Sequence, residues 1–119
     1  MTEIRLAIVG SRDYNNYDSF KIIVDKYISE IGKPIEIVSG GAKGVDSLAE
    51  RYAQENNIPM RVFQADWQQY GKSAGPRRNT EIIENSTCVL ALPAVNSVGT
   101  FDSITKAQIL KKPLKIVHI

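Results

Sequence analysis

The sequence of 119 residues is poor in the residues that cross-link a protein or bind metals in clusters. It has one cysteine, Cys88, and one histidine, His118, which excludes an internal disulfide and a multi-cysteine metal site. We expect Cys88 to be buried in the core and His118 to be structural, in the last strand. No apolar run approaches the roughly 20 residues that cross a bilayer, and the start of the chain lacks the layout of a signal peptide. We therefore expect a cytoplasmic protein with no membrane partner, no metal and no cofactor.

The charge is also nearly balanced. A formal net charge of +2 does not favour nucleic-acid binding by bulk electrostatics, so any such binding has to rest on local clusters. Hydrophobic residues make up 43% of the chain and charged residues 24%, which is typical of a folded globular protein. The length suits one core, and we interpret residues 1–119 as a single nucleotide-binding domain.

Strand-like and helix-like segments alternate along the chain. Five short segments are rich in β-branched residues and bounded by Gly, Pro or polar residues, as strands are: residues 4–10, 35–40, 60–64, 87–93 and 114–119. Helical spacing of apolar residues lies between them. Five strands alternating with four helices predict an α/β, Rossmann-like three-layer fold. Its five-stranded parallel sheet is expected to have the order 3-2-1-4-5, with helices on both faces.

Four helices are predicted from this spacing. The first carries an apolar stripe from Phe20 to Ile31, and Gly32 ends it. The second carries a stripe within residues 45–53. The third is expected to start near Pro76, which is tolerated in a first turn because its missing N–H would be unpaired there. The fourth is expected to start near Thr100.

Ligands of such sheets bind beyond the carboxyl ends of the strands, where the strand order reverses. Four segments lie there: residues 10–14, 39–46, 65–79 and 92–100. They supply the candidate ligand- and phosphate-binding residues, which are Gly10, Ser11, Arg12, Ser39, Gly40, Gly41, Lys43, Gly44, Asp46, Trp67, Lys72, Arg77, Arg78, Asn79, Ser97, Gly99 and Thr100.

Two of these segments resemble phosphate-binding motifs without completing them. Asp66 stands where a P-loop ending in residues 71–73 needs a glycine, and Ser39 stands where G-x-G-x-x-G needs its first glycine. A Walker-type nucleotide triphosphatase and a dinucleotide dehydrogenase are therefore disfavoured. The glycines at 40, 41 and 99 still precede helices, whose unpaired N–H groups and dipole favour phosphate. A tight strand-to-helix turn is the alternative interpretation of the Ser-Gly-Gly segment.

Arg77 and Arg78 stand together at the predicted start of the third helix. Cations at a helix N-terminus oppose the dipole by roughly 0.3–1 kcal/mol each, so two of them there favour an anion held between their guanidinium groups. The alternative is that one arginine pairs with Glu81 or Glu84 on the same helix.

Asp46 and Trp67 each allow two interpretations. Asp46, at the start of the second helix, either caps that helix or binds ribose hydroxyls. Trp67, together with Tyr70, either stacks on a base or packs a long loop onto the domain.

Several motifs together resemble the SLOG superfamily, the Rossmann-like domains related to the DNA-processing protein Smf/DprA and the LOG phosphoribohydrolases. They are "GSRDY", "SGGAKGVDSLAERYA", "ADWQQYGKSAGPRRN" and "VGT", and the match extends from residue 10 to about residue 107. The similarity is closest to the YspA-like, cpYpsA-related group. It implies a pocket for a nucleotide or nucleotide derivative, built from these loops.

The resemblance to the LOG enzymes has one gap. Those enzymes carry G-G-x-G-T-x-x-E, whose glutamate takes part in catalysis, whereas here Ser103 stands at the glutamate position. Asp102 is adjacent, but its side chain would point about 100° away around the helix. We therefore expect binding rather than catalysis. If the protein were an enzyme, we would expect a nucleoside 5′-monophosphate phosphoribohydrolase using Asp102 or Glu81.

The predicted function is to sense or sequester a nucleotide-like small molecule. The phosphate site is expected to comprise residues 10–12, 39–44, 77–78 and 97–100. A homodimer is a candidate assembly. Binding of single-stranded DNA, by analogy with Smf/DprA, is the third alternative. The small net charge and the acids in the loops, Asp13, Asp46, Asp66 and Asp102, count against it.

Overall fold

A twisted parallel sheet forms the centre of the computed structural model, which describes residues 3–119. Its strands are β1 (Arg5–Gly10), β2 (Glu36–Ser39), β3 (Met60–Val62), β4 (Cys88–Leu92) and β5 (Leu114–Ile116). They pair in the order β3-β2-β1-β4-β5, and every pair is parallel. The predicted fold class and strand order are confirmed.

The helices are α1 (Tyr17–Ile31), α2 (Val45–Glu55), α3 (Trp67–Tyr70), α4 (Ala74–Glu84) and α5 (Val98–Ile109), and a 3₁₀ turn covers Gly71–Ser73. The expected starts of the last two helices were each two residues late. Pro76 is the third residue of α4, where its missing N–H still removes no helical hydrogen bond. The sequence did not predict α3 or the 3₁₀ turn.

The sheet is covered on both faces, and β1 shows how its residues divide between them. Leu6 and Ile8 join the core cluster under α1 and α2, whereas Ala7 and Val9 join the cluster under α4 and α5. Successive side chains of a strand point to opposite faces, so one central strand supplies both cores. All four residues are almost fully buried.

The two rare residues differ in their burial. Cys88 is 5% exposed, which confirms the prediction that it belongs to the core. His118 is exposed and lies beyond the end of β5, not within the strand as expected. Within residues 3–119, no helix is both long enough and apolar enough to cross a bilayer.

The strand order reverses between β1 and β4. The first crossover carries the chain from β1 to β2 on one side, and β4 then returns to pair with the other side of β1. Gly10 and Leu92, which pair in register, end these two strands at the same edge of the sheet. The loops that follow them diverge toward opposite faces and leave a crevice at this edge.

Candidate functional site

A cleft of about 290 Å³ lies at this reversal point. It is lined by Val9, Gly10, Ser11, Arg12, Asp13, Gly40, Ala42, Asp46, Arg78, Asn79, Ile82, Asn96, Ser97, Val98, Gly99, Thr100 and Ser103. These residues come from the end of β1 and the loop after it, from the loop after β2, from the loop before α5, from the starts of α2 and α5, and from the middle of α4.

The end of β1 forms the floor of the cleft and is held from two sides. The Ser11 N–H donates to the Leu92 carbonyl at 3.1 Å, and the Ser11 carbonyl accepts from the Val45 N–H at 3.0 Å. A Cβ on Gly10 would lie 2.6 Å from Val45 Cγ2 and 2.7 Å from the Leu92 oxygen. Glycine is therefore required here, because atoms of α2 and β4 already occupy the space that a Cβ would need.

The wall after β2 contains a buried carboxylate. Asp46, 9% exposed, accepts a hydrogen bond from the Ala42 N–H at 3.0 Å through Oδ2. A Cβ on Gly40 would lie 3.1 Å from that oxygen and 2.5 Å from Arg78 Nη1. Gly40 thus leaves room for an acid and a guanidinium in a space that a side chain would fill.

Arg78 reaches this wall from α4. Its Nη1 donates to the Gly40 carbonyl at 2.8 Å, and its Nε donates to Asn79 Oδ1 at 3.0 Å. Burial lowers the pKa of the Arg78 guanidinium, and the charge of Asp46 acts in the opposite direction. The guanidinium is therefore fixed in place and half-buried, with N–H groups left over for a ligand.

Asp46 is influenced by more than one cation. Burial raises its pKa above the ordinary value, while the Ala42 N–H, the Arg78 guanidinium and more weakly Arg12 act to lower that pKa. The Ser39 hydroxyl also lowers this pKa, although it makes no hydrogen bond of ordinary geometry. Arg12 also lowers the pKa of Arg78, because a second positive charge disfavours the charged form. Both arginines line the cleft.

The opposite wall is the start of α5, where donors are available. The N–H groups of Gly99 and Thr100 donate no hydrogen bond to any group in residues 3–119. A Cβ on Gly99 would meet nothing within 4 Å, so the approach to these N–H groups is open. Thr100 lines the cleft and is 7% exposed, yet its hydroxyl has no hydrogen-bond partner in the described structure. Free N–H groups at a helix start favour an anion.

Asn79 connects α4 to this wall. Its Nδ2 donates to the Gly99 carbonyl at 3.2 Å and to Asp102 Oδ2 at 3.1 Å. Lys106 Nζ donates to the same Asp102 oxygen at 2.7 Å and to the Pro76 carbonyl at 2.7 Å. Asp102 is therefore already engaged between the two helices and does not line the cleft.

The structure brings most of the candidate ligand-binding residues together. Those that line the cleft are Gly10, Ser11, Arg12, Gly40, Asp46, Arg78, Asn79, Ser97, Gly99 and Thr100. Those that do not are Ser39, Gly41, Lys43, Gly44, Trp67, Lys72 and Arg77. Ser39 is fully buried behind Asp46, and Gly44 backs onto the Ser11 carbonyl. The binding roles of all these residues remain predictions.

The two adjacent arginines do not form a clamp. Arg77 is exposed, places its guanidinium 4.3 Å from the centre of the Tyr70 ring, and donates from Nε to Ser73 Oγ at 3.2 Å. Consecutive residues on a helix point about 100° apart, so only Arg78 faces the cleft. Neither arginine pairs with Glu81 or Glu84 in the described structure.

Trp67 and Lys72 lie on the additional helical segment rather than in the cleft. The Trp67 indole is 53% exposed and packs on Gly75, where a Cβ would lie 3.3 Å from its Cη2. Lys72 is exposed in the 3₁₀ turn. The placement of Trp67 matches the loop-packing interpretation rather than stacking on a base in this cleft.

Other lining residues were not singled out as ligand-binding. Asp13 and Asn96 each neighbour a predicted residue in a loop that was already selected, so inclusion of the whole loops would have found them. Ser103 was noted only as a missing glutamate, but it is 1% exposed and lines the cleft. Glu81 is exposed on α4 and lies outside the cleft. In residues 3–119, no three His, Cys, Asp or Glu side chains are grouped as a metal site requires.

The sequence of this chain is similar to a family model and to a phage protein. The model of the YAcAr family, described as the YspA, cpYpsA-related SLOG family, matches residues 4–70. The Gene 61 protein of Mycobacterium phage D29 is 34% identical over 113 residues, covering 87% of this chain and 88% of that protein. Helices α4 and α5 lie beyond the part matched by the family model.

Solved structures share the fold. DNA processing protein A (DprA) from Streptococcus pneumoniae aligns with a TM-score of 0.74 at 20% identity, over 96% of this chain and 50% of that chain. DprA from Helicobacter pylori, described for its single-stranded DNA binding mode, gives 0.70 at 24% identity over 97% and 65%. The structural genomics target TM1055 gives 0.67 at 17% identity over 93% and 72%. The chain thus spans about half the length of the first of these structures.

Proposed function

Because the chain belongs to the YspA, cpYpsA-related SLOG family, we propose that its cleft binds a nucleotide or nucleotide-derived small molecule and that the protein senses or sequesters this ligand. One observation carries the proposal: the free N–H groups of Gly99 and Thr100 open into the same cleft as the guanidinium of Arg78. Donors of this kind, at a helix start and on a fixed guanidinium, match the oxygens of a phosphate group.

The phosphate is best placed at the start of α5. There the N–H groups of Gly99 and Thr100 are joined by the unpartnered Thr100 hydroxyl, and Gly99 leaves the approach open. Ser97 lines the same wall, but its Oγ already accepts from the Ala94 N–H at 2.9 Å. We therefore assign the phosphate to backbone donors and the Thr100 hydroxyl, with Arg12 and Arg78 balancing its charge.

The rest of the ligand would lie between Asp46, on the wall after β2, and Asn96, in the loop before α5. Both side chains line the cleft, and a carboxylate and an amide are partners for sugar hydroxyls. A volume of about 290 Å³ is near the lower end of small-molecule sites. It suits a compact phosphorylated sugar with part of a base.

Variants of the two neighbouring arginines give a matched test. Arg78→Ala, and separately Arg12→Ala, should weaken binding of nucleotides in isothermal titration calorimetry by about 10- to 100-fold, since a hydrogen bond to a charged group contributes about 1.5–3 kcal/mol. Arg77→Ala removes the same charge from the same helix but outside the cleft, and should change the affinity by less than about threefold.

The ligand panel should contain nucleoside mono-, di- and triphosphates and ribose 5-phosphate. Bound ligand should also raise the melting temperature of the protein, by an amount equivalent to about 2.7 kcal/mol at a hundred times the dissociation constant. If no member of the panel binds with a dissociation constant below about 1 mM, which corresponds to about 4.1 kcal/mol, the proposed function is wrong.

A further inference from the structure

Asn79 carries a buried amide that joins two walls of the cleft. The residue is 7% exposed. Its Oδ1 accepts from Arg78 Nε at 3.0 Å, and its Nδ2 donates to the Gly99 carbonyl at 3.2 Å and to Asp102 Oδ2 at 3.1 Å. A carboxylate and a carbonyl only accept, and a guanidinium only donates, so these partners fix which end of the amide faces each wall. Because both N–H bonds of the amide are engaged, Asn79 has no donor left for a ligand.

The bond to the Gly99 carbonyl orients a donor of the phosphate site. That carbonyl and the Thr100 N–H belong to one planar peptide group, so the direction of one sets the direction of the other. A hydrogen bond to the carbonyl also polarises the peptide group and strengthens its N–H as a donor. Gly99 is the second residue of α5, and a glycine leaves this first turn conformationally free. The Ser103 hydroxyl donates to the same carbonyl at 3.4 Å, so Asn79 makes the shorter of the two bonds that hold the turn.

The bond from Arg78 orients the second donor group. The guanidinium is held by Asn79 at Nε and by the Gly40 carbonyl at Nη1, the latter at 2.8 Å. Its five N–H groups lie in one plane, so two bonds at different nitrogens set that plane and leave the other N–H groups for a ligand. Without Asn79, the guanidinium would be held at one nitrogen only.

We propose that Asn79 is a positioning residue, which orients the Thr100 N–H and the Arg78 guanidinium toward one anion, an inference that rests on the proposed function. This role differs from the ligand contact that the sequence predicts for Asn79. Because one amide orients donors from both walls, the contributions of the two walls to binding are coupled rather than independent.

A double-mutant cycle, measured by calorimetry with adenosine 5′-monophosphate and 5′-diphosphate, tests this coupling. Asn79→Ala should weaken binding by about 10- to 100-fold. Arg78→Ala should then cost less than about threefold in the Asn79→Ala protein, because the guanidinium is no longer held there. Asn79→Ser supplies a second neutral variant, and circular dichroism establishes that each variant is folded. Asn85→Ala removes an amide from the C-terminal end of the same helix, outside the cleft, and should change the affinity by less than about threefold.

Nuclear magnetic resonance of the ligand-free protein tests the positioning itself. In Asn79→Ala, the amide signal of Thr100 should shift, and the Nε–H signal of Arg78 should be lost through faster exchange with water. Asn79→Asp keeps an acceptor for Arg78 Nε but loses the donor to the Gly99 carbonyl. It should therefore shift the Thr100 signal and retain that of Arg78.

Unchanged signals of both groups in Asn79→Ala, or additive effects of the two alanine substitutions on affinity, would overturn the positioning role and leave the proposed function intact. Absence of binding by every phosphate compound would instead overturn the proposed function. The spectra of the ligand-free variants would then still decide whether Asn79 holds the two donor groups.

Discussion

At the scale of single residues, Asp46 is an acid whose surroundings oppose its ionisation. Burial raises its pKa even though the Ala42 N–H and the cations Arg78 and Arg12 favour the charged form. A carboxylate with a raised pKa in the folded state destabilises the fold once it is ionised, because the unfolded chain releases the proton more easily. Residues that reduce stability in this way are typical of functional sites.

The pH dependence of stability should reveal this cost. Asp46→Asn should unfold at a higher temperature than wild type at neutral pH. The difference should shrink as the pH falls through the raised pKa of Asp46, and vanish below the unfolded value of about 3.9, where both states of the wild type are protonated. Thermal denaturation followed by circular dichroism across this range measures the effect.

Arg78, Arg12 and Asp13 are the charged groups that share the cleft with Asp46, and all three are retained in the variant. A lower melting temperature for Asp46→Asn at neutral pH would mean that attraction to Arg78 and Arg12 outweighs burial. That result would contradict the assignment of Asp46 as a destabilising functional acid.

At the scale of elements, the start of α5 provides binding donors but no free carboxylate. Asp102 accepts from both Asn79 and Lys106, so its role is to join α5 to α4. Ser103 faces the cleft but cannot carry negative charge. Cleavage of a glycosidic bond needs a carboxylate beside the developing charge on the sugar.

Asp46, the carboxylate on the opposite wall of the cleft, is held by the Ala42 N–H. We therefore expect the protein not to release free base from adenosine, guanosine, cytidine or uridine monophosphate. Positioned acid–base groups contribute about 10²–10⁴-fold to a rate, and none is available on α5. Chromatography of long incubations measures the product, with Asp102→Asn as a comparison expected to match wild type. Base release that Asp102→Asn abolishes would establish a hydrolase and identify its carboxylate.

The helices and strands also show which features of the fold the sequence patterns could predict. The strands could be predicted from their runs of β-branched residues. The helices could be predicted from their apolar stripes, such as Phe20, Val24 and Tyr27 on α1, because the buried face of a helix repeats every three to four residues. The segment Trp67–Ser73 carries no such period, so its helical turns were missed. It is held by the Asp66 cap, whose Oδ1 accepts from the Gln69 N–H, and by the packing of Trp67 on Gly75. Because α4 begins before Pro76, the directions of Arg77 and Arg78 could not be read from the sequence.

At the scale of the whole molecule, the strand order predicted that the loops after β1 and β4 meet at one edge of the sheet, and the cleft lies there, since this rule depends only on connectivity. The approach of Arg78 toward Asp46 could not be predicted in the same way. Arg78 is 32 positions away in sequence, and its contact with Gly40 depends on how α4 packs against the sheet. The sequence thus predicted which loops line the cleft, but not which of their side chains point into it.

The shared fold with DprA calls for a test of polymer binding. A net charge of +2 and a cleft containing Asp13 and Asp46 do not suit a long polyanion. We expect weak binding of a single-stranded oligonucleotide and a shallow salt dependence for a single nucleotide, measured by fluorescence anisotropy and calorimetry. A protein that contacts six phosphates would lose about a thousandfold in affinity between 50 and 200 mM salt. Tight oligonucleotide binding with such a slope would favour DNA as the partner.

Trp67 gives the molecule an optical probe of its own. It is the only tryptophan in the chain, and its half-exposed indole rests on Gly75 in the first turn of α4, the helix that carries Arg78 into the cleft. Indole emission depends on contact with water, so a ligand that moves the start of α4 alters the colour or intensity of this emission. A ligand that shifts α4 in this way can be followed by stopped-flow fluorescence on the unlabelled wild-type protein.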